Sequence, residues 1–135
     1  MEVKRQPGAT WLLAFLGGTV GAVAGAGIFH VLLGRGYYAL AMPGALLGLG
    51  AGYAIRRQSH LVGAVCGLAA SALGVLLEWH YRPFVADGSL AFFLRHLSEL
   101  REMTWVMIVA GAAFAYWFGR GRPRTATIEP ITAVE

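Results

Sequence analysis

The sequence predicts an all-α polytopic membrane protein, with four transmembrane helices in a small antiparallel bundle and an amphipathic helix before the fourth. Three observations carry that expectation. Of 135 residues, 57% are hydrophobic and 13% charged, with a mean hydropathy of +0.59, whereas water-soluble domains carry about a quarter charged residues. Four apolar runs fill most of the chain, each near the roughly 20 residues that a helix needs to cross a bilayer core of about 30 Å. Glycine, finally, recurs at every fourth position inside three of those runs.

The first helix is expected over 11–33, after a polar head (1–10) that holds Lys4 and Arg5. A secretory signal is the competing reading, since basic residues precede an apolar stretch and Ala22-Val-Ala24 supplies small residues, but a signal core is only about 7–15 residues long. Here apolar character continues through Ile28, Phe29 and Val31 to Leu33, which favours an uncleaved span. Gly34-Arg-Gly36 then makes a turn, and a second helix is expected over 37–55, ended by Arg56-Arg57-Gln-Ser-His60. Pro43 falls about two turns into that helix, where it would remove a donor and bend the axis, as a packing kink or a hinge. The third helix is expected over 61–79, closed by Glu78, His80 and Arg82 with Pro83. Short connectors make these three helices antiparallel neighbours.

Over 88–103, Leu90, Phe93, Leu94, Leu97 and Leu100 recur at helical spacing while Arg95, His96, Glu99, Arg101 and Glu102 take other faces. That pattern predicts an amphipathic helix, capped by Asp87 or Ser89, which lies on the membrane surface or runs on into the last helix over 104–119. Trp105 and Tyr116-Trp-Phe118 set aromatic rings at both ends of the last run, where such rings prefer the headgroup level. The tail, 120–135, has alternating Arg and two prolines and is expected to be disordered.

With four crossings, Lys4, Arg5, Arg56, Arg57, Arg120, Arg122 and Arg124 share one side, and Arg35, Arg82, Arg95 and Arg101 share the other. Lys and Arg are retained on the cytoplasmic side, so both termini are expected in the cytoplasm of a cell with this chain as a multi-pass protein of a bacterial inner (plasma) membrane. Arg120, Arg122 and Arg124 also suit anionic lipid, at roughly 1 kcal/mol for each basic group near such a surface. The basic residues sit singly or in pairs at run ends rather than on one face, which argues against a nucleic-acid partner.

The glycine sets are Gly17, Gly21 and Gly25 in the first helix, Gly44, Gly48 and Gly52 in the second, and Gly63 and Gly67 with Ser71 in the third. Each set occupies one helix face, and small residues every fourth position let lipid-embedded helices approach closely. Gly48-Leu-Gly-Ala-Gly52 has the spacing of a nucleotide-binding turn, but such a turn follows a strand and opens a helix. Apolar residues continue on both sides of it, so the glycines are assigned to helix packing and not to phosphate.

No ionisable residue falls in mid-span, and the deepest polar groups, Thr19, Cys66 and Ser71, can each bond their own helix backbone; an ion-coupled pump is therefore not expected. Arg35, Glu78, His80 and Arg82 form a candidate interfacial polar cluster, near His30 and His96, in which Glu78 would pair with Arg35 or Arg82. Its spacing matches no closed metal-ligand pattern, and one cysteine allows neither a disulfide nor a cysteine cluster. No nucleophile, base and orienting partner are visible together. No catalytic residue, cofactor or metal is expected, and the chain is not read as an enzyme.

Gly17-Gly-Thr-Val-Gly-Ala22 is similar to the GGxxGA start of small four-helix fluoride channels. That family continues to an Arg where this chain has Gly25, and it uses a pore Asn, whereas this chain has no Asn. The small multidrug exporters have a comparable length but depend on a first-helix Glu that is missing here. From Gly34 to about His80, GYYALAMPGALLGLGAGYAIRR and the apolar run after it resemble a group of uncharacterised small bacterial multispan membrane proteins, a likeness that implies no activity. The expected role is a non-enzymatic accessory or scaffold subunit or a small homo-oligomer, whose partners are the bilayer and other membrane proteins or itself; the alternative is a small-solute channel.

Overall fold

The structure, a computed structural model, describes residues 7–55, 57–81 and 88–122. Among the described residues all regular structure is helical: α1 (Pro7–Gly34), α2 (Ala41–Ala54), α3 (His60–Tyr81), α4 (Leu90–Arg95), a 3-10 turn (Leu97–Glu99) and α5 (Glu102–Gly119). The chain thus has the all-α class expected of it. Several boundaries differ, each for a local reason.

α1 starts at Pro7, taking in part of the expected polar head, and a proline at the first helical position forfeits no hydrogen bond. At its other end Gly36 N–H donates to Leu33 O at 3.0 Å and Tyr37 N–H to Leu32 O at 2.9 Å, with Gly36 at φ +85°. Those two bonds make a Schellman closure, which needs the left-handed residue that glycine supplies. The chain then leaves the turn through 37–39 before α2 begins at Ala41 rather than at 37. Pro43 is consequently the third residue of α2 and not two turns inside it. The first four N–H groups of a helix have no partner within it, so Pro43 gives up no bond and the expected kink has no cause there.

The stretch 88–103 is not one helix. Ser89 caps α4, its Oγ accepting from Phe92 N–H at 3.3 Å, and the other expected cap, Asp87, lies outside the described residues. α4 ends after one and a half turns, where His96 folds its ring back to Phe92 O at 2.9 Å. Leu100 and Arg101 are then extended, with ψ 147° and 139°, and this separates the segment from α5, which starts at Glu102 rather than 104. Trp79 Nε1–H donates to Gly88 O at 2.9 Å and ties the segment to α3.

α2 is the central helix, packed on α1, α3 and α5, while α1 and α3 barely touch. Neighbours along α1 and α2 run in opposite directions, Gly17 beside Gly50 and Gly25 beside Pro43. Along α2 and α5 they run the same way, Gly44 beside Gly111 and Gly48 beside Ala115. The expected antiparallel bundle therefore contains one parallel pair at its centre, α2 with α5, and α3 has α5 as its main partner rather than α2 alone.

Two buried clusters differ in side-chain size: Phe29, Leu40 and Ile108 make one, and the other is built mostly of small residues. Ala14, Ala51, Cys66, Ala70 and Ala115 are buried, with Leu47, Ile55 and Val62 beside them. Phe15, Val20 and Leu68, by contrast, are 70%, 71% and 74% exposed. The helices Gly8–Gly34 and His60–Tyr81 are long and apolar enough to cross a membrane, each containing an 18-residue stretch of mean hydropathy 1.9 and 2.0 respectively.

Candidate functional site

Three features stand out: the glycine contacts, a buried carboxyl at one end of the bundle, and an apolar groove near the other. The glycine stripes are filled by the chain's own backbone. A Cβ at Gly17 or Gly21 would collide with the carbonyl oxygens of Gly50 and Leu46, and one at Gly25 would lie 2.5 Å from Pro43 Cα, so the whole α1 set faces α2. The α2 set faces α5: a Cβ at Gly44 would come 2.9 Å from Gly111 O, at Gly48 2.5 Å from Ala115 Cα, and at Gly52 onto the Phe118 carbonyl. In α3, Gly63 meets the Tyr116 carbonyl at 2.8 Å and Gly67 meets Ala112 O at 3.3 Å.

Ser71, the third member of that set, is half-buried and donates to Gly67 O at 3.0 Å, as Thr19 donates to Phe15 O at 2.8 Å. Both hydroxyls are satisfied one turn back on their own helix. Ser71→Ala and Thr19→Val are accordingly expected to change stability by no more than about 0.5 kcal/mol, checked by thermal unfolding in detergent.

Sequence reasoning missed the receiving surfaces. Gly50 lies on the α2 face opposite Gly48, and Gly111, Ala115 and Gly119 form a fourth stripe in α5. Their four-residue spacing was the signal available for it.

Glu78 is not at the surface with Arg35. It is 5% exposed and sits in the last turn of α3, where Tyr38, from the link between α1 and α2, donates its hydroxyl proton to Oε2. Thr104, 3% exposed in the first turn of α5, donates to Oε1 at 3.4 Å. One carboxyl thus joins three parts of the chain, and the electropositive N-terminal end of α5 lies beside it. Phe29 covers this knot, with Tyr38 and Tyr81 edge-on to its ring at 6.1 and 5.6 Å, and His30 Nδ1 is 2.9 Å from Tyr81 Oη.

The expected pairing of Glu78 with Arg35 is replaced by these hydroxyls. Arg35 and His80 are exposed, His80 standing edge-on to Tyr81 at 5.0 Å, and Arg82 lies outside the described residues. The physical reason is helical phase: Glu78 follows Ala70 and Gly74 at four-residue steps on the buried face of α3, and a carboxyl held there needs hydrogen-bond donors.

The opposite end gathers Arg57, Arg120 and Arg122. Ser59 N–H donates to Arg120 O at 2.7 Å, the Arg120 guanidinium lies 3.9 Å over the Trp117 ring, and His60 Nδ1 is 3.0 Å from Tyr116 Oη. Arg57 and Arg122 are exposed. Lys4, Arg5, Arg56 and Arg124 lie outside the described residues.

Because α1 and α3 both lean on α2 without closing on each other, a groove of about 280 Å³ opens between them. Ala14, Gly18 and Ala22 line one wall, Cys66 and Ala69 the other, and Leu47 and Ala51 the floor.

The chain matches no protein-family model, no curated protein and no solved structure. Among the described residues no three His, Cys, Asp or Glu side chains gather as a metal would need. What the arrangement offers chemically is a fixed carboxyl with two hydroxyl donors, a basic end, and an apolar surface both outside and in the groove.

Proposed function

We propose that the protein is a non-enzymatic, multi-pass membrane protein that acts as an accessory or scaffold subunit, with its basic end in the cytoplasm. The observation that carries this reading is the pairing of a bulky apolar exterior with helix interfaces closed by backbone contact at glycine. Large exposed apolar surface is unfavourable in water, whereas lipid accepts it and leaves close approach of small residues as the means of holding helices together. α1 and α3 supply the length and hydropathy to span, and α5, of 18 residues, rises about 27 Å. α2, of 14 residues, is short at about 21 Å. It is the helix that packs on all three others, and non-helical backbone at membrane depth is tolerated where protein covers it.

The glycine sets are engaged within one chain, so partners meet the outer faces of α1, α3 and α5 and do not compete for the stripes. This packing favours the accessory role over the small-solute channel, because a channel needs a polar passage and the α1–α2, α2–α5 and α3–α5 interfaces are closed by backbone contact. Purified protein in liposomes is expected to give no leak of anions, cations or neutral solutes above empty vesicles, and mild solubilisation is expected to copurify a second membrane protein. A solute-selective leak would reverse the choice between the two roles.

A further inference from the structure

We infer that the groove between α1 and α3 seats one acyl chain of an anionic phospholipid, drawn from the leaflet at the basic end of the bundle. The inference rests on the membrane-embedded part of the proposed reading and is independent of the accessory role. Ala14, Gly18 and Ala22 repeat at the four-residue spacing that elsewhere in this chain brings helices together; Ala14 and Gly18 rest on α2, but α3 does not close on α1 along this row. What remains is a slot whose lining offers hydrocarbon contact, since the one hydroxyl on it, Thr19, is occupied by Phe15 O.

Size and depth select the occupant. A helix with its side chains is about 10 Å across, whereas about 280 Å³ drawn out along α1 from Trp11 to Val23 makes a long, shallow slot, the shape of a single hydrocarbon chain. Along α1 the lining runs from Trp11 to Val23, a rise of about 18 Å, close to the depth of one leaflet of a bilayer core of about 30 Å. A partner helix crossing both leaflets would have most of its length beyond the slot.

Charge selects the headgroup. The α3 wall begins at Val62, just after His60 and the loop that carries Arg57, and exposed Arg122 follows α5 at the same end. Basic groups at that level attract anionic headgroups, and a phosphate at the slot mouth keeps its charge in the interface while its chain enters the groove.

The test uses the full chain with Trp79→Phe, Trp105→Phe and Trp117→Phe, which leaves Trp11 at the groove as the sole tryptophan. The protein is placed in phosphatidylcholine vesicles containing an equal mole fraction of either bromo-acyl phosphatidylglycerol or bromo-acyl phosphatidylcholine. The anionic probe is expected to quench Trp11 several-fold more strongly. Ala69→Phe, which fills the slot from an exposed wall position, is expected to abolish that difference, with Ala22→Leu as the second filler from the opposite wall. Arg57→Gln with Arg122→Gln is expected to reduce it while quenching by the zwitterionic probe stays unchanged.

Equal quenching by the two probes, or an undiminished difference in both fillers, overturns the inference. So does a covalent dimer formed through Val23→Cys in a Cys66→Ala background, because a second copy would then occupy the groove. Failure of the membrane reading is distinguishable, since the protein would then not float with the vesicles at all.

Discussion

Gly21→Ala is expected to lower the unfolding free energy by at least about 1–3 kcal/mol, the usual cost of overpacking a well-packed site. On the same helix, Gly27→Ala is expected to leave stability unchanged or raise it by up to about 1 kcal/mol, the helix propensity that alanine has over glycine. The two substitutions are chemically identical. They differ in what a methyl group would meet: at Gly21 it runs into the Leu46 carbonyl and the Leu47 Cα of α2, and at Gly27 it meets nothing within 4 Å. Backbone cannot move aside as the end of a long side chain can, so the helices must separate, and every contact along α1 and α2 weakens with them. Gly50→Ala, pressed on Gly17 from the other side, is expected to resemble Gly21→Ala. Within the stripes the effects are unequal, Gly48 being tighter on Ala115 than Gly67 is on Ala112. Unfolding midpoints in a detergent titration read all of these on one scale.

Glu78→Ala is expected to cost about 1–3 kcal/mol, the range for leaving buried hydrogen-bonding groups without a partner. Tyr38 and Thr104 would face an empty buried site, and α3 would lose its tie to the α1–α2 link and to the start of α5. Glu78→Gln keeps an acceptor oxygen for Tyr38 and is expected to recover most of the loss. The triple change Glu78→Ala, Tyr38→Phe, Thr104→Val is expected to cost less than the sum of its parts, because removing both sides of a buried polar contact leaves no group unsatisfied. A triple that is additive would mean the three side chains act separately.

Helix class was legible because apolar run length and the glycine period are local properties of the chain. The same holds for Ser89 as a cap and for the backbone bonds of Thr19 and Ser71. Partners were another matter. A four-residue period shows that Gly44, Gly48 and Gly52 share a face, but not that this face belongs to α5, more than fifty residues along, in a parallel pairing that no short connector implies. Glu78 lies close to the end of its run, so the sequence placed it with the surface arginines. Its burial follows from the phase it shares with Ala70 and Gly74 and from Tyr38, forty positions away. The early proline was misread because the Schellman closure at Gly36 delays α2, which moves Pro43 from the helix interior into its first turn. The groove belongs to three helices at once, and no single run contains it.

Membrane crossing is the proposition on which the packing logic, the accessory role and the lipid slot all depend, and cysteine accessibility tests it directly. Single cysteines placed at Arg35, Arg57, Arg95 and Arg122 in a Cys66→Ala background would be exposed to a membrane-impermeant maleimide in spheroplasts. A bundle that crosses the bilayer with its basic end inside predicts labelling at 35 and 95 in intact spheroplasts, and at 57 and 122 only after lysis. Equal labelling of all four positions before lysis, or recovery of the chain in the soluble fraction, would contradict it.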